Sequence, residues 1–310
     1  MNPRSGSFQR IKVGVVCGGT SAERRISLRS GGAVLRALRK RGLSVRAMDP
    51  KDRSAFFRAA RKVDVLFMAL HGNGGEDGTI QEKLERLGIP FTGSPSAACR
   101  KSFDKQISKR YFERLGVPTP PYQVVRARNW RLKATSFPVP FFVKPLDGGS
   151  SQGVFLVEDF RKSAEKIRRS VVRHKTLLLE QKIHGRELTA GLLVGRALPV
   201  VEVRPSRPFY DFKAKYTAGM TIYEVPAKLP PRVRKRVQQI AVRVYRGLGL
   251  CGFARVDLML DKANRPYVLE VNSIPGLTEF SLLPKAARAA GVGFDELCMR
   301  LLRDALARKK

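Results

Sequence analysis

Arg255, Asp257, Glu270 and Asn272 combine acid, amide and guanidinium groups within eighteen residues of chain. Apolar, β-rich runs over 253–260 and 267–271 flank a polar stretch with turn chemistry, 261–266, which predicts a hairpin. Side chains alternate across a strand, so Arg255 and Asp257 share one face, opposite Ala254, Val256, Leu258 and Leu260. On the return strand Glu270 and Asn272 share a face, opposite Leu269 and Val271. A hairpin symmetric about its turn pairs Asp257 with Glu270 and Arg255 with Asn272. Facing carboxylates repel unless a cation or a proton lies between them. Oxygen ligands without thiols or imidazoles suit Mg²⁺ rather than zinc, and Mg²⁺ normally shares its shell with waters and substrate phosphates. The same four residues also fit the solvated outer face of an antiparallel hairpin. The following turn, Asn272-Ser273-Ile274-Pro275-Gly276, tilts the balance towards a site, because glycine lets a backbone N–H approach a ligand closely.

A second constellation lies at the end of a short apolar strand, 141–143, which delivers Lys144 and then a Gly/Ser-rich loop, 145–153. Such a loop is often only a turn; a lysine at the strand's end favours a clamp for phosphate. Two more glycine-rich loops follow apolar strands: 18–23, ending in Glu23, and 71–78, beginning with His71. The aromatic and basic stretch 209–216 fits neither a clean helix nor a clean strand, which suits a mobile loop over a site or a surface loop with buried aromatics.

The elements that must position these groups alternate in type. Strands over 11–17, 45–48 and 63–70 are separated by helical stretches with apolar positions at Ala33, Val34, Leu35 and Leu38 (stopping at Gly42) and over 54–61; another helix covers 80–87. This βαβ order predicts a parallel sheet with ligand-binding loops at the carboxyl ends of its strands. Residues 97–115 read as one helix carrying Lys105, and 117–122 as a proline-rich connection. Further strands are expected over 176–180 and 188–194, with Glu187 just before the latter, and helices over 231–248 and 294–306. Neither G-x-G-x-x-G nor a Walker loop occurs, which disfavours a dinucleotide fold or a P-loop NTPase.

Size and composition bound the answer. The 310 residues suffice for two or three packed units, and the hydrophobic fraction of 43% is that of an ordinary soluble protein. No apolar run approaches a membrane span and the N-terminus lacks an apolar signal core, so the expected location is the cytoplasm. Cys17, Cys99, Cys251 and Cys298 are scattered and read as reduced thiols; with His71, His174 and His184 they form no zinc signature. The net charge of +34 raises nucleic-acid binding, yet its basic residues are spread over helices and few aromatics interleave. Solvated faces and steering of anionic substrates are the expected reading, with no dedicated nucleic-acid partner and non-specific anion binding from the charge.

In this order the motifs resemble the D-alanine–D-alanine ligases of the ATP-grasp superfamily. The matching stretches are GGTSAER (18–24), LHGNGGEDGTIQ (70–81), Asp104-Lys105, FVKP with GSSQG (142–153), Glu180 with Glu187, FYDFKAKY (209–216), ARVDLML (254–260) and LEVNSIPGLTEFSLLPKAA (269–287). The resemblance implies an α/β chain of three subdomains: a substrate-binding unit at 1–94, a central ATP-grasp unit at 95–183, and a C-terminal unit at 184–310 with the metal site and lid. The resemblance also implies that ATP lies between the central and C-terminal units. The implied reaction makes an acyl phosphate from one D-alanine and ATP, which the amine of a second D-alanine attacks to give D-alanyl-D-alanine for peptidoglycan precursors.

Carried over residue by residue, the resemblance implies Asp257, Glu270 and Asn272 as ligands of two Mg²⁺ ions, or of Mn²⁺ in their place. Arg255 and the Gly276 N–H are implied to hold the oxyanion, Lys105, Lys144 and Lys215 the ATP phosphates, Glu180 the adenine amino group and Glu187 the ribose. Glu23 is implied to receive the first D-alanine's ammonium, with His71 lining that pocket. Ser150 and Tyr216 are implied to join Glu23 to the lid, and Ser281 with Leu282 to form the pocket for the second D-alanine's carboxylate. A homodimer is also implied. Asp147-Gly148-Gly149 and Gln152 depart from the family's phosphate loop, Gln181-Lys182-Ile183 lacks its lysine–aromatic pair at the adenine hinge, and Lys213 replaces a frequent acid in the lid. Alternatives are a ligase using D-lactate or D-serine as second substrate, which Tyr216 disfavours, and a silent nucleic-acid-binding relative, which the metal trio disfavours.

Overall fold

A computed structural model describes residues 11–146, 149, 153–206, 217 and 219–308. The chain opens with strand β1 (Lys12–Val16), helix α1 (Arg24–Lys40), strand β2 (Ser44–Met48), helix α2 (Arg53–Ala60), strand β3 (Val65–Met68) and helix α3 (Thr79–Arg86). Its strands form a parallel sheet in the order β2-β1-β3, as the βαβ pattern requires, and a single parallel bridge from Leu66 to Phe91 extends it. Helix α1 ends where Gly42 adopts a left-handed φ of 77°, with Gly42 N–H donating to the Arg39 carbonyl and Leu43 N–H to that of Leu38. Gly31 lets α1 lie close on the sheet: a Cβ there would stand 2.4 Å from the Cys17 Cβ.

Residues 97–115 do not form one helix. Helix α4 (Ser96–Phe103) and helix α5 (Lys105–Arg114) break at Asp104, whose backbone is extended and whose carboxylate accepts the Ile107 N–H at 2.9 Å. Aspartate satisfies the free N–H groups of a helix start better than it continues a helix, so a cap replaces the expected turn. Lys105 becomes the first residue of α5.

The central sheet is antiparallel, ordered β4 (Tyr122–Arg126), β7 (Thr176–Gln181), β5 (Phe141–Pro145), β6 (Phe155–Val157). Helices α6 (Trp130–Ser136) and α7 (Phe160–His174) cover it over a core that includes Val125, Phe141, Val143, Ile167 and Leu179.

The largest sheet comprises β8 (Gly185–Leu193), β9 (Arg196–Ala197), β10 (Val201–Pro205), β11 (Thr221–Glu224), β12 (Phe253–Asp261) and β13 (Pro266–Asn272), ordered β11-β10-β8-β12-β13 with β9 on β8. Glu187 lies inside β8, opposite Met259 and Val203, rather than before it. Helix α8 (Pro231–Leu248) packs on this sheet with α4 and α5, burying Phe112, Val237, Val244 and Leu248 among Leu188, Val256 and Leu258. Its outer side exposes Arg232, Arg234, Lys235, Arg236, Arg243 and Arg246, a solvated basic face. Helices α9 (Leu282–Ala289) and α10 (Phe294–Ala307) join a different core. Leu283, Leu297 and Leu301 pack with Val15, Phe67 and Met68 of the N-terminal sheet, and α10 lies against α1 and β3.

The hairpin register is Arg255 opposite Asn272 and Asp257 opposite Glu270. Beyond Asp257 it shifts, so that Leu258 faces Val268 and Leu269 has no partner. The expected alternation therefore fails at one place: Val268, not Leu269, is buried beside Val271. An extra residue in one strand is a β-bulge, and it re-aims the side chains that follow it. No described helix is long and apolar enough to cross a membrane.

Candidate active site

A cleft of about 440 Å³ opens where the N-terminal loops, the β12–β13 hairpin and the start of α9 meet. Glu23 and His71 reach it from the N-terminal unit and Lys105 from α5. Arg255, Glu270 and Asn272 come from the hairpin, Gly276 from the turn after it, and Ser281 with Leu282 from the α9 start. These nine expected site residues thus line one space. Ser150, Lys215 and Tyr216 lie outside the described residues.

Asp257 lies beneath the cleft wall, buried and fully engaged. Arg255 grips it with two parallel bonds, Nε to Oδ1 and a terminal nitrogen to Oδ2, both 2.8 Å. Thr189 Oγ donates to Oδ1 at 2.5 Å and Asn272 Nδ2 to Oδ2 at 3.1 Å. A buried carboxylate needs such compensation, and paired bonds from a planar guanidinium give the strongest form of it. The donor chemistry of Asp257, Glu270 and Asn272 (two carboxylates and an amide) fits a hard divalent cation. Among the described residues no cluster of three or more His, Cys, Asp or Glu offers a competing metal site.

Lys144 and Glu180 form a separate group. Both Glu180 oxygens are taken by ammonium groups: Oε2 by Lys109 at 2.5 Å and Oε1 by Lys144. Burial pushes the Glu180 carboxyl up, but Lys109 and Lys144 together outweigh this and hold it below the usual carboxylate range. Burial acts on Lys144 in the opposite sense, and Glu180, with Glu270 and Glu187 further off, raises it overall. The basic end of the central sheet is therefore in electrostatic reach of the hairpin acids. Lys109 also donates to Thr119 Oγ at 2.6 Å, and its place four residues after Lys105 on α5 carries no sequence signal for a partner 71 residues away.

Other groups escape the sequence pattern. Glu76, inside the second glycine-rich loop, lines the cleft. Burial first, then the charge of Glu23, pushes its carboxyl up to about 8, against the Gly72 N–H at 2.9 Å and the Arg255 charge. His71 is buried, which lowers its imidazole to about 4 and keeps it neutral. Ser30 of α1 and Lys285 of α9 also line the cleft, Lys285 with its ammonium 4.2 Å above the Tyr223 ring. Of these groups only His71 is expected from the sequence; for Glu76 the available signal is a carboxylate among glycines after a buried strand, and Ser30 and Lys285 carry none.

The start of α9 completes the wall. Ser281 is its N-cap residue, yet its Oγ bonds Thr278 instead, accepting the N–H at 3.1 Å and meeting Oγ1 at 2.9 Å. The first turn contains no acid, and Leu282, its first residue, lines the cleft at the positive end of the helix dipole, which suits an anion. A Cβ at Gly276 would stand 2.9 Å from Ser281 Oγ, so the hydroxyl that holds Thr278 would have to turn away.

A parallel N-terminal sheet, a central antiparallel sheet and a third sheet that carries the acidic hairpin at a cleft make up the fold of an ATP-grasp enzyme. Residues 111–303 match the family described as D-ala D-ala ligase C-terminus, and residues 46–94 match D-ala D-ala ligase N-terminus. The D-alanine–D-alanine ligase of Syntrophotalea carbinolica is 43% identical over 302 residues, 97% of this chain and 98% of that one. The corresponding ligase of an Anaeromyxobacter species is 41% identical over 300 residues, 96% of this chain and 97% of that one. The crystal structure of the Bacillus anthracis D-alanine–D-alanine ligase superposes with a TM-score of 0.86 at 33% identity, covering 96% of this chain and 98% of that chain. Its complex with ATP gives 0.85 at 31% identity with the same coverage. The chain belongs to the D-alanine–D-alanine ligase family.

Proposed function

We propose that this protein joins two D-alanines into D-alanyl-D-alanine at the expense of ATP, supplying a peptidoglycan precursor. The observation that carries the reading is the register of β12 and β13, which sets Asp257 against Glu270 and Arg255 against Asn272 at the wall of a cleft that Glu23 also lines.

In the first step a carboxylate oxygen of one D-alanine attacks the γ-phosphorus of ATP, and the bond to the β-phosphate oxygen breaks to release ADP. Glu23 is placed to receive the ammonium of that D-alanine, and Lys105 and Lys144 to hold phosphates. With both its oxygens bound to lysines, Glu180 acts on the nucleotide end by fixing Lys144. Glu187, on the strand next to β12, is assigned the ribose. In the second step the amine of the other D-alanine attacks the acyl carbonyl. The oxyanion that forms is stabilised by Arg255 and the Gly276 N–H until phosphate leaves. Preorganised donors of this kind typically supply about 10²–10³ in rate each. The second carboxylate sits on Ser281 and the N–H of Leu282, at the positive end of α9. Asp257, Glu270 and Asn272 would hold Mg²⁺, or Mn²⁺, which when bound neutralises phosphate charge. Ser150, Lys215 and Tyr216 are assigned to the lid side by family resemblance. ATP as co-substrate assigns the work to the cytoplasm, and a homodimer is the expected assembly, to be read by sedimentation.

The direct test is ADP release with Mg²⁺ and ATP, comparing D-alanine with L-alanine, D-serine and D-lactate. D-alanine-dependent turnover well above the other three is expected. Folded protein without it would end the ligase reading.

A further inference from the structure

The reaction assigned above needs one turn held still: 273–278, which must present the Gly276 N–H to a charge that exists only in passing. Pro275 has no N–H and an apolar ring, and Gly276 has no side chain, so neither can anchor the turn through a hydrogen-bonding side chain. Anchors come from the other end of the chain. The His71 ring stands with Nδ1 3.1 Å from the Ile274 carbonyl and Nε2 2.9 Å from Ser30 Oγ. The Leu277 N–H donates to the same Ser30 Oγ at 3.3 Å.

The proton positions follow from the partners. A carbonyl only accepts, so Nδ1 carries the ring proton. Nε2 of the neutral ring then accepts, so the Ser30 hydroxyl donates its single proton to it. That leaves the lone pairs of Ser30 for the Leu277 N–H. Each donor is used once, and the bonds run in one direction from Leu277 through Ser30 and His71 to Ile274. Ser30 is fully buried and His71 is 3% exposed, so these bonds are not shared with solvent. Bonds out of water are stronger, and an unpaired member would be costly.

We infer that Ser30 and His71 are a positioning pair for the ligation step, gripping the turn at Ile274 and at Leu277 so that Gly276, between them, points its N–H at the developing oxyanion. This rests on the reading of Gly276 as an oxyanion donor. It moves His71 from substrate contact to support, because both ring nitrogens are already occupied by protein. It also gives a role to Ser30, whose place on α1 suggests nothing about a turn nearly 250 residues away. The Thr278–Ser281 bonds brace the turn from its far side, so the grip completes a support on both flanks of Gly276.

The test is steady-state kinetics on Ser30→Ala, His71→Leu and the double variant, with His71→Asn as the conservative replacement whose amide can still donate to Ile274. Loosening one oxyanion donor rather than deleting it should lower kcat by about 10- to 100-fold, with KM for D-alanine and ATP within about threefold of the parent. His71→Asn should retain more of kcat than His71→Leu. Because the two residues act as one unit, the double variant should be little worse than the poorer single variant. A kcat within about twofold of the parent in Ser30→Ala would overturn the inference, as would losses that multiply in the double variant. So would an effect confined to KM for D-alanine, the signature of direct contact. Hydrogen exchange of the 272–282 segment reads the grip without turnover: it should quicken in Ser30→Ala while the β12 strand stays protected. Unchanged exchange there also overturns the inference. An inactive parent with exchange that quickens in Ser30→Ala would instead sink the ligase assignment and leave the grip standing.

Discussion

Removing the Lys109 ammonium should destabilise the fold more than removing any surface charge, and the size of the loss follows from burial. Lys109 and Glu180 are each about 1–2% exposed and meet at 2.5 Å. Stripping one partner from a buried pair generally costs about 3–5 kcal/mol, because the other charge is stranded. Glu180 keeps Lys144 in Lys109→Met, and Thr119 still donates to the Val268 carbonyl at 2.7 Å, so the loss belongs at the lower end, about 3 kcal/mol. Glu180→Gln should cost more, since it strands two ammonium groups, and Lys144→Met less, since Lys144 is 13% exposed. Urea unfolding followed by the fluorescence of Trp130 measures the difference well. It is the single tryptophan of the chain and packs on the core of the same central sheet that carries Glu180. Coincident circular dichroism and fluorescence transitions establish the two-state condition the comparison needs. A Lys109→Met protein within about 1 kcal/mol of the parent, at unchanged slope, would refute the view that Lys109 is required to hold Glu180 ionised.

Three other perturbations have clear signs. Glu270→Gln should abolish ADP release while circular dichroism remains that of the parent; near-normal turnover would remove Glu270 from any metal site. Glu202 is held down to about 2, chiefly by its hydrogen bonds to Arg186 and then Arg204. Its contribution is therefore complete above the unfolded value near 4.5 and fades as pH falls towards 2. With both arginines partly exposed, Glu202→Gln should cost about 1–2 kcal/mol at pH 7 and almost nothing at pH 2, by denaturant melts across that range. Gly31→Ala gains about 1 kcal/mol of helix propensity, yet its Cβ would stand 2.4 Å from Cys17 Cβ. Overpacking of this kind costs about 1–3 kcal/mol, so a lower melting temperature is expected, and a higher one would show that α1 can move outward.

The parts of the fold and site legible in the sequence were those set by short-range pattern. The hairpin could be read because a polar turn and alternating strands impose their pairing, and Asp257 does lie opposite Glu270. The bulge at Leu269 was not legible, since Val268 and Leu269 are both apolar and either could fill the core. Asp104 was read through because the apolar positions continue on both sides of it, while its capping bond is a local event that periodicity ignores. Helix α7 buries only Ile167 and Val171 among many basic residues, too thin an apolar stripe to stand out. The site's supporting groups were hidden for another reason. Ser30, Lys109 and Glu76 act through partners brought close only by folding, and a serine on a helix or a lysine among sixty basic residues carries no mark of it.

The core shared by the two ends of the chain bears on how the protein is made. Strand β3 and helix α1 leave the ribosome well before α10, yet part of the apolar surface they present is covered by it. The β1–β3 sheet must therefore wait, incompletely covered, while the two intervening sheets are synthesised and until α10 arrives. A nascent chain of this kind invites chaperone binding at the β1–β3 sheet, and truncation before residue 294 should leave aggregation-prone protein rather than a soluble N-terminal piece.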